Sequence, residues 1–390
     1  MRLRATVPAL FALFALLAAC AAAPPPAPAP VHLFSDAAFT PLAAPADRPD
    51  PDKVFALSPA MIDYLDNRIA RDTRTKGARR ALFDALYSKG QLKLEYDAAL
   101  TRNAAETFDA RSGNCLSLVI MTAALARHLG LTPEFQQVLT AQSWSRVGDL
   151  YFASGHVNLT LGKGVGEALG YDSQGRMTVD FMPEKEAARH RIEPIEERTI
   201  VAMYFSNRAA ETLAQDKVNE AYWWVRAAIL QDPAFAGAYN TLGVVLRRHK
   251  QTEAARRAFE YALERDPANP LIMSNLALAL SALGRTQEAA AVRRQLARLQ
   301  PVQPFFFFNK GMSALHGGDP KEAARLFNRE IERDPDYHEF HFWLAEALAK
   351  LGESKQAERE LGLAIDTSTT ADQRQQYTSR LEGLRAGRSR

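Results

Sequence analysis

Residues 111–130 read RSGNCLSLVIMTAALARHLG. Leu116, Ile120, Ala123 and Ala124 recur at helical spacing, so the run behind Cys115 predicts a buried helix. Gly130 supplies its stop and Gly113 its entry turn. With Asn114 as the N-cap, Cys115 becomes the first helical residue. A thiol there faces unpaired backbone N–H groups and the positive end of the helix dipole, and both favour thiolate. The competing reading of the same cysteine is a small buried core residue.

The chain has 390 residues, enough for two domains. Its 47% hydrophobic content is that of a globular protein, and a formal charge of +3 gives no reason to expect nucleic acid. Arg2 and Arg4 precede an apolar stretch, Leu10 to Leu17, that is too short to span a bilayer. Leu17-Ala18-Ala19-Cys20 follows and resembles the lipobox of a bacterial lipoprotein. The resemblance implies a signal peptide over 1–19 and lipidation of Cys20. Ala21 in place of Asp implies, by the same resemblance, the periplasmic face of the outer membrane. Residues 20–52 then form the lipidated cysteine and a tether. Prolines at 24, 25, 26, 28, 30, 41, 45, 49 and 51 favour extended chain and allow no packed core there. Cys115 is left as the only thiol of the mature chain, and an unpaired cysteine in a disulfide-forming compartment is flagged as reactive.

Residues 53–198 read as an α+β unit. Ser58-Pro59 is an N-cap followed by proline at the first helical position. Met61, Leu65 and Ile69 mark one helical face; Leu82, Phe83 and Leu86 mark a second helix. Tyr96 to Phe108 reads as helix plus loop. Beyond Gly130 the period changes. Phe135 to Leu139 predicts a strand, and His156 to Leu161 alternates, with Val157, Leu159 and Leu161 opposite His156, Asn158 and Thr160. Met177 to Met182 predicts another strand, after a turn at Asp172 to Gly175.

A nucleophilic cysteine needs a base, and the base needs an orienting acceptor. His128 lies thirteen residues along the same helix, about 20 Å away at 1.5 Å per residue. His32 falls in the tether, and the histidines from 249 onward fall in a different domain. His156 and His190 remain, with His156 favoured by its place on the polar face of an apolar strand. Asp180 is a carboxylate expected within a strand, where charge is disfavoured unless paired. Asp172 is explained as a turn former.

Ala105-Glu106-Thr107-Phe108, the Arg111 to Cys115 element, Gly155-His156-Val157 and Val179-Asp180 together resemble the transglutaminase-like superfamily, in the branch that includes papain-like cysteine peptidases. The resemblance spans about residues 80 to 185. It implies a cysteine-bearing helix packed on a small antiparallel sheet. It also implies Cys115 as nucleophile, His156 as general base and acid, and Asp180 as orienter. Many transglutaminases stabilise the oxyanion with a tryptophan upstream of the cysteine; here no tryptophan precedes Trp144. The Cys115 backbone N–H would then need a second donor, such as Gln142 or Trp144. No acidic loop suits calcium, no pair has zinc-ligand spacing, and no cofactor is implied.

Residues 199–390 read as a second domain, in which the chain repeats from about 200 to 371. Asp232-Pro233, Asp266-Pro267, Gln300-Pro301 and Asp334-Pro335 recur at the 34-residue tetratricopeptide period. Leu242-Gly243, Leu246, Ala255, Phe259, Ala262 and Pro267 sit where that repeat needs them, so the region resembles tetratricopeptide-repeat (TPR) proteins. The resemblance implies an all-α TPR solenoid closed by a C-terminal capping helix. Its concave groove would take a protein or peptide partner through Asn240, Val244, Arg247, Leu271, Leu278, Phe305, Phe308, Met312 and Phe342. The alternative reading of the Phe305 to Phe308 run is inter-repeat core, with Phe307 at the large-residue position.

The expectation is a lipid-anchored periplasmic thiol hydrolase, acting on an amide through a Cys115 thioester, with a TPR protein-binding module. An amine acceptor in place of water would give cross-linking. The competing class is a non-enzymatic scaffold or assembly factor that binds through the TPR groove.

Overall fold

Ser58 opens the first helix: its hydroxyl accepts the Met61 N–H, and Pro59 fills the first helical position. This helix, α1 (Pro59–Asp63), continues through a wider π turn (Tyr64–Ile69) into α2 (Ala70–Lys76). Gly77, at φ 80°, separates α2 from α3 (Ala78–Tyr87). The computed structural model describes residues 28–42, 48–88, 92–98, 100–147, 150–162, 177–181 and 191–388.

Between Tyr96 and Cys115 the chain is mostly not helical. Two-residue strands β1 (Glu95–Tyr96) and β2 (Ser112–Gly113) pair in parallel, and α4 (Ala104–Ala110) lies between them in sequence. Reciprocal bonds between Asn103 and Glu106 close the start of α4. Next come α5 (Cys115–His128), β3 (Pro133–Val147), β4 (Leu150–Leu161), β5 (Met177–Val179) and β6 (Arg191–Ile195). The last four strands form an antiparallel sheet in the order β5-β4-β3-β6. Helix α5 packs on β4. It is buried from Leu116 through Ala126, in one core with Val157, Leu159 and Leu161.

Three details depart from the sequence reading. Strand β3 runs well beyond Leu139. Asp180 follows β5 instead of lying within a strand. Strand β6 was not foreseen, because RIEPI carries a proline and no apolar alternation. It lies at the sheet edge, where Pro194 need not donate to a further strand.

The C-terminal part is an all-α solenoid of helix pairs: α6 (Glu197–Ala214) with α7 (Val218–Gln231), α8 (Ala236–Arg248) with α9 (Thr252–Arg265), and α10 (Pro270–Ala282) with α11 (Thr286–Leu299). Then come α12 (Phe306–His316) with α13 (Pro320–Ile331), α14 (His338–Lys350) with α15 (Ser354–Asp366), and the closing α16 (Ala371–Arg388). Close approach within a pair depends on glycine. A Cβ on Gly243 would sit 2.4 Å from the Phe259 ring, and one on Gly311 would sit 2.7 Å from Phe327.

The core does not break at residue 198. One cluster runs from the N-terminal unit through α6 and α7 to Ala289; a second spans Phe305 to Leu361. The link between them, Gln300 to Phe305, is tied by Arg333, which reaches the carbonyls of Val302 and Gln303 and pairs with Glu330. Glu330 is 2% exposed and accepts the N–H groups of Phe307 and Phe308, so it caps α12 from the neighbouring helix.

The proline-rich segment also departs from expectation. Residues 31–40 dock on α7 and α9. Asp36 accepts from Tyr222 Oη and from Arg226 Nε at 2.5 and 2.9 Å, and Asn219 exchanges bonds with both the N–H and the carbonyl of Thr40. Leu33 and Phe39 are buried, and Phe39 stacks on Tyr222 with centroids 3.8 Å apart. Residues 31–40 carry no proline, and short 3₁₀ turns at Val31–Leu33 and Asp36–Ala38 set their side chains between the helices.

Candidate active site

Asn114 caps α5, its side-chain oxygen accepting the Ser117 N–H at 2.9 Å, so Cys115 is the first residue of the helix. Arg111 ends α4 in the left-handed region at φ 55° and lays its guanidinium over Phe108 at 4.1 Å. Its carbonyl accepts the Glu95 N–H, and Gly113 O accepts that of Asp97. Gly113 answers a packing need, not the entry turn expected of it. A Cβ there would meet Ser117 Cβ at 2.7 Å and Thr107 Cγ2 at 3.3 Å, and no positive φ is involved.

Across from the cysteine, β4 carries His156, Asn158 and Thr160 on one face, all buried. The β3–β4 register shifts between Val138 and Ser143, immediately beside His156. His156 Nε2 lies 2.6 Å from Asp180 Oδ1, and Asn158 Nδ2 donates to Asp180 Oδ2 at 2.8 Å. Tyr87 donates its hydroxyl to the Asp180 carbonyl at 2.6 Å, fixing the end of β5 from α3. Cys115 is the other group that bears on the His156 ring. With Nε2 engaged by Asp180, Nδ1 is the ring nitrogen left for the thiol. Burial opposes charge on the imidazole, but the bond to Asp180, the nearby Cys115 and the charges of both outweigh it, and the pKa rises to about 9.

Cys115 is half-buried and the only free cysteine among the described residues. A pocket of about 200 Å³ reaches the site at Asp180 and is otherwise lined by Leu86, Tyr87, Leu94, Glu95, Tyr96, Leu118 and Phe181, not by Cys115 or His156. Tyr87 stacks on Phe181, and Tyr96 is near enough to Cys115 for their charges to interact. The group is a thiol near an imidazole, a carboxylate bonded to that imidazole, and an aromatic cleft that reaches the carboxylate. Sequence reasoning missed this aromatic wall, because Tyr87, Tyr96 and Phe181 come from three separate segments.

The other sequence candidates fall variously. Cys20, Asp172 and His190 lie outside the described residues, as do the side chains of Gln142 and Trp144, whose backbone belongs to β3. Among the described residues, no helix is long and apolar enough to cross a membrane, and no three His, Cys, Asp or Glu side chains gather as metal ligands. Of the expected groove residues, Leu278 is exposed, while Val244, Arg247, Leu271, Met312 and Phe342 are half-buried. Phe342 stacks on Tyr377 of α16, and Asn240 is buried, accepting from Asn275 at 2.9 Å. Phe305 and Phe308 must be withdrawn as partner-binding residues. They are 2% and 0% exposed, because Phe327, Tyr337 and Phe340 receive their rings between neighbouring helices. Phe307 is buried too, and Phe306 alone of the run is exposed.

Residues 213–270, 240–304 and 308–372 match the tetratricopeptide repeat family. No curated protein matches the chain. Among solved structures it is similar to Pseudomonas aeruginosa pilF, with 20% identity over 50% of this chain and 88% of that one, at a TM-score of 0.29. It is similar to a thermophilic TPR protein of Thermus thermophilus, with 17% identity over 46% of this chain and 97% of the other, at a TM-score of 0.30. It is also similar to YrrB, described as a TPR protein with an unusual peptide-binding site, with 21% identity over 46% and 92%, at a TM-score of 0.26. The matched stretches, 213–304 and 308–372, carry tetratricopeptide repeats and take in the helices from α7 to α15.

Proposed function

We propose that the N-terminal unit is a transglutaminase-like thiol hydrolase, with Cys115 as nucleophile, His156 as proton carrier and Asp180 as orienter. The observation that carries this reading is the imidazole of His156, held by Asp180 at 2.6 Å, with the Cys115 thiol near enough to bear on its charge. The Cys115 sulfur attacks the carbonyl carbon of an amide while its proton resides on His156. Collapse of the tetrahedral adduct breaks the C–N bond; His156 gives its proton to the leaving amine, and a thioester remains on Cys115. Water, losing a proton to His156, then attacks the thioester, releasing a carboxylic acid and the thiol. An amine in place of water gives a new amide by the same steps. The Cys115 N–H at the start of α5 is available to the oxyanion, with Gln142 or Trp144 as the proposed second donor.

The sequence around Cys20 supports a lipid-anchored protein on the periplasmic side of the envelope, with its repeats binding a protein or peptide. The test uses p-nitrophenyl acetate as a small acyl donor and a Cys20→Ser chain. The reading expects a stoichiometric burst of p-nitrophenolate that Cys115→Ala abolishes. A burst that survives Cys115→Ala, or none in the parent chain, rejects the enzyme and leaves the scaffold reading.

A further inference from the structure

Thr101 is 1% exposed and joins the thiol unit to the repeats through four hydrogen bonds. Its hydroxyl accepts from Asn114 Nδ2 at 2.9 Å and from Asn207 Nδ2 at 3.2 Å. Its N–H donates to Glu211 Oε1 at 2.7 Å, and its carbonyl accepts from Arg208 Nη1 at 3.3 Å. Asn207, Arg208 and Glu211 all belong to α6, at the head of the array. Asn114 is the N-cap of α5 and the residue before Cys115. Its side-chain oxygen is committed to Ser117, so its orientation depends on where its NH₂ is held, and Thr101 holds it.

Packing alone does not account for this join. Arg208 Nε is buried there without a hydrogen bond, and Glu211 Oε2 has only the Arg208 Nη1 charge at 3.7 Å, a cost that apolar side chains would avoid. Buried polar networks of this kind specify one relative arrangement of the parts they connect. The same loop touches the far end of the array as well: Ala98 donates to the carbonyl of Thr369, in the turn between α15 and α16, at 3.1 Å. Tyr96, in the wall of the cleft, lies just before that loop.

We propose that the repeat array positions the nucleophile. Helix α6 holds Thr101, Thr101 holds the Asn114 amide, and that amide sets how Cys115 meets His156. Thr101 and Asn207 are positioning residues, and the repeats act on the thiol as well as recruiting a partner. This rests on reading Cys115 as the reactive group of the site.

The test is the iodoacetamide alkylation rate of Cys115 in the Cys20→Ser chain, followed from pH 5 to pH 9. Thr101→Val keeps shape and loses the hydroxyl; Thr101→Ser keeps the hydroxyl. Asn207 is exposed on α6, so Asn207→Ala preserves the fold. Thr101→Val and Asn207→Ala are both expected to slow labelling roughly two- to tenfold, the worth of one hydrogen bond, and to move the pH profile. Thr101→Ser is expected to restore both. If Asn207→Ala labels at the parent rate with an unchanged profile, the coupling to the repeats is refuted, whatever Thr101→Val does. Failure of the hydrolase reading is distinguishable: the p-nitrophenolate burst is then absent while the labelling differences persist.

Discussion

His156 Nε2 and Asp180 Oδ1 lie 2.6 Å apart, although 24 residues separate them in sequence. Asn158 holds the other carboxylate oxygen and Tyr87 the backbone carbonyl, so Asp180 is fixed from β4 and from α3. Removing its charge while keeping its shape, with Asp180→Asn, is predicted to lower the His156 pKa from about 9 toward the ordinary histidine value. NMR titration of the His156 ring protons measures this, and an unchanged midpoint contradicts it.

Two histidines are predicted to tilt stability with pH in opposite senses. His156 has its pKa raised to about 9 in the fold, so its contribution is fully present below about pH 6.5 and is lost as pH rises through 9. His338 has its pKa lowered to about 4 by burial and then by the nearby His341 charge. Its contribution is present above about pH 6.5 and is lost as pH falls toward 4. Urea denaturation of His156→Gln against wild type should therefore show a difference that shrinks from pH 6 to pH 9. For His338→Gln the difference should shrink from pH 7 to pH 4. Parallel pH dependences for variant and wild type would argue against either shift.

Within the repeats, Gly243→Ala is predicted to destabilise by about 1–3 kcal/mol, because the new methyl meets the rigid Phe259 ring at 2.4 Å. Gly362 lies in α15 with nothing within 4 Å, so Gly362→Ala should stabilise by about 0.5–1 kcal/mol. Thermal melts of the two variants decide, and shifts of the same sign would remove the packing explanation.

The strap formed by residues 31–40 is predicted to loosen in Phe39→Ala, which loses the stack on Tyr222 and a side chain only 4% exposed. Truncating a buried phenylalanine costs about 3–5 kcal/mol, enough to release a short docked segment. Hydrogen exchange over 31–40 should accelerate while the rest of the chain keeps its protection; equal exchange would mean that the polar contacts of Asp36 and Thr40 suffice.

How much of this was legible beforehand follows from the range of the interactions. The Cys115 helix, its Asn114 cap and the 34-residue prolines are local signals, and the residues carry them openly. The pairing of His156 with Asp180 followed from elimination among few histidines and from the strand alternation around His156. The rest is nonlocal. Tyr87 meets Asp180 across 93 residues, and Asp36 meets Arg226 across 190. No period in the sequence announces either. For Phe305 and Phe308 the repeat frame gives position but not direction, so groove and inter-repeat core are not separable from sequence; the rings are in the core, and Phe305 stands at φ 60° ahead of α12.

Cys115 and His156 are proposed to act as one reactive pair. The most direct measurement is the rate at which iodoacetamide labels Cys115 at pH 6, in the Cys20→Ser chain, with and without His156→Ala. Rapid labelling of the parent chain is predicted, with at least a tenfold slower rate in the variant and circular dichroism unchanged. Equal rates in the two folded proteins would contradict it.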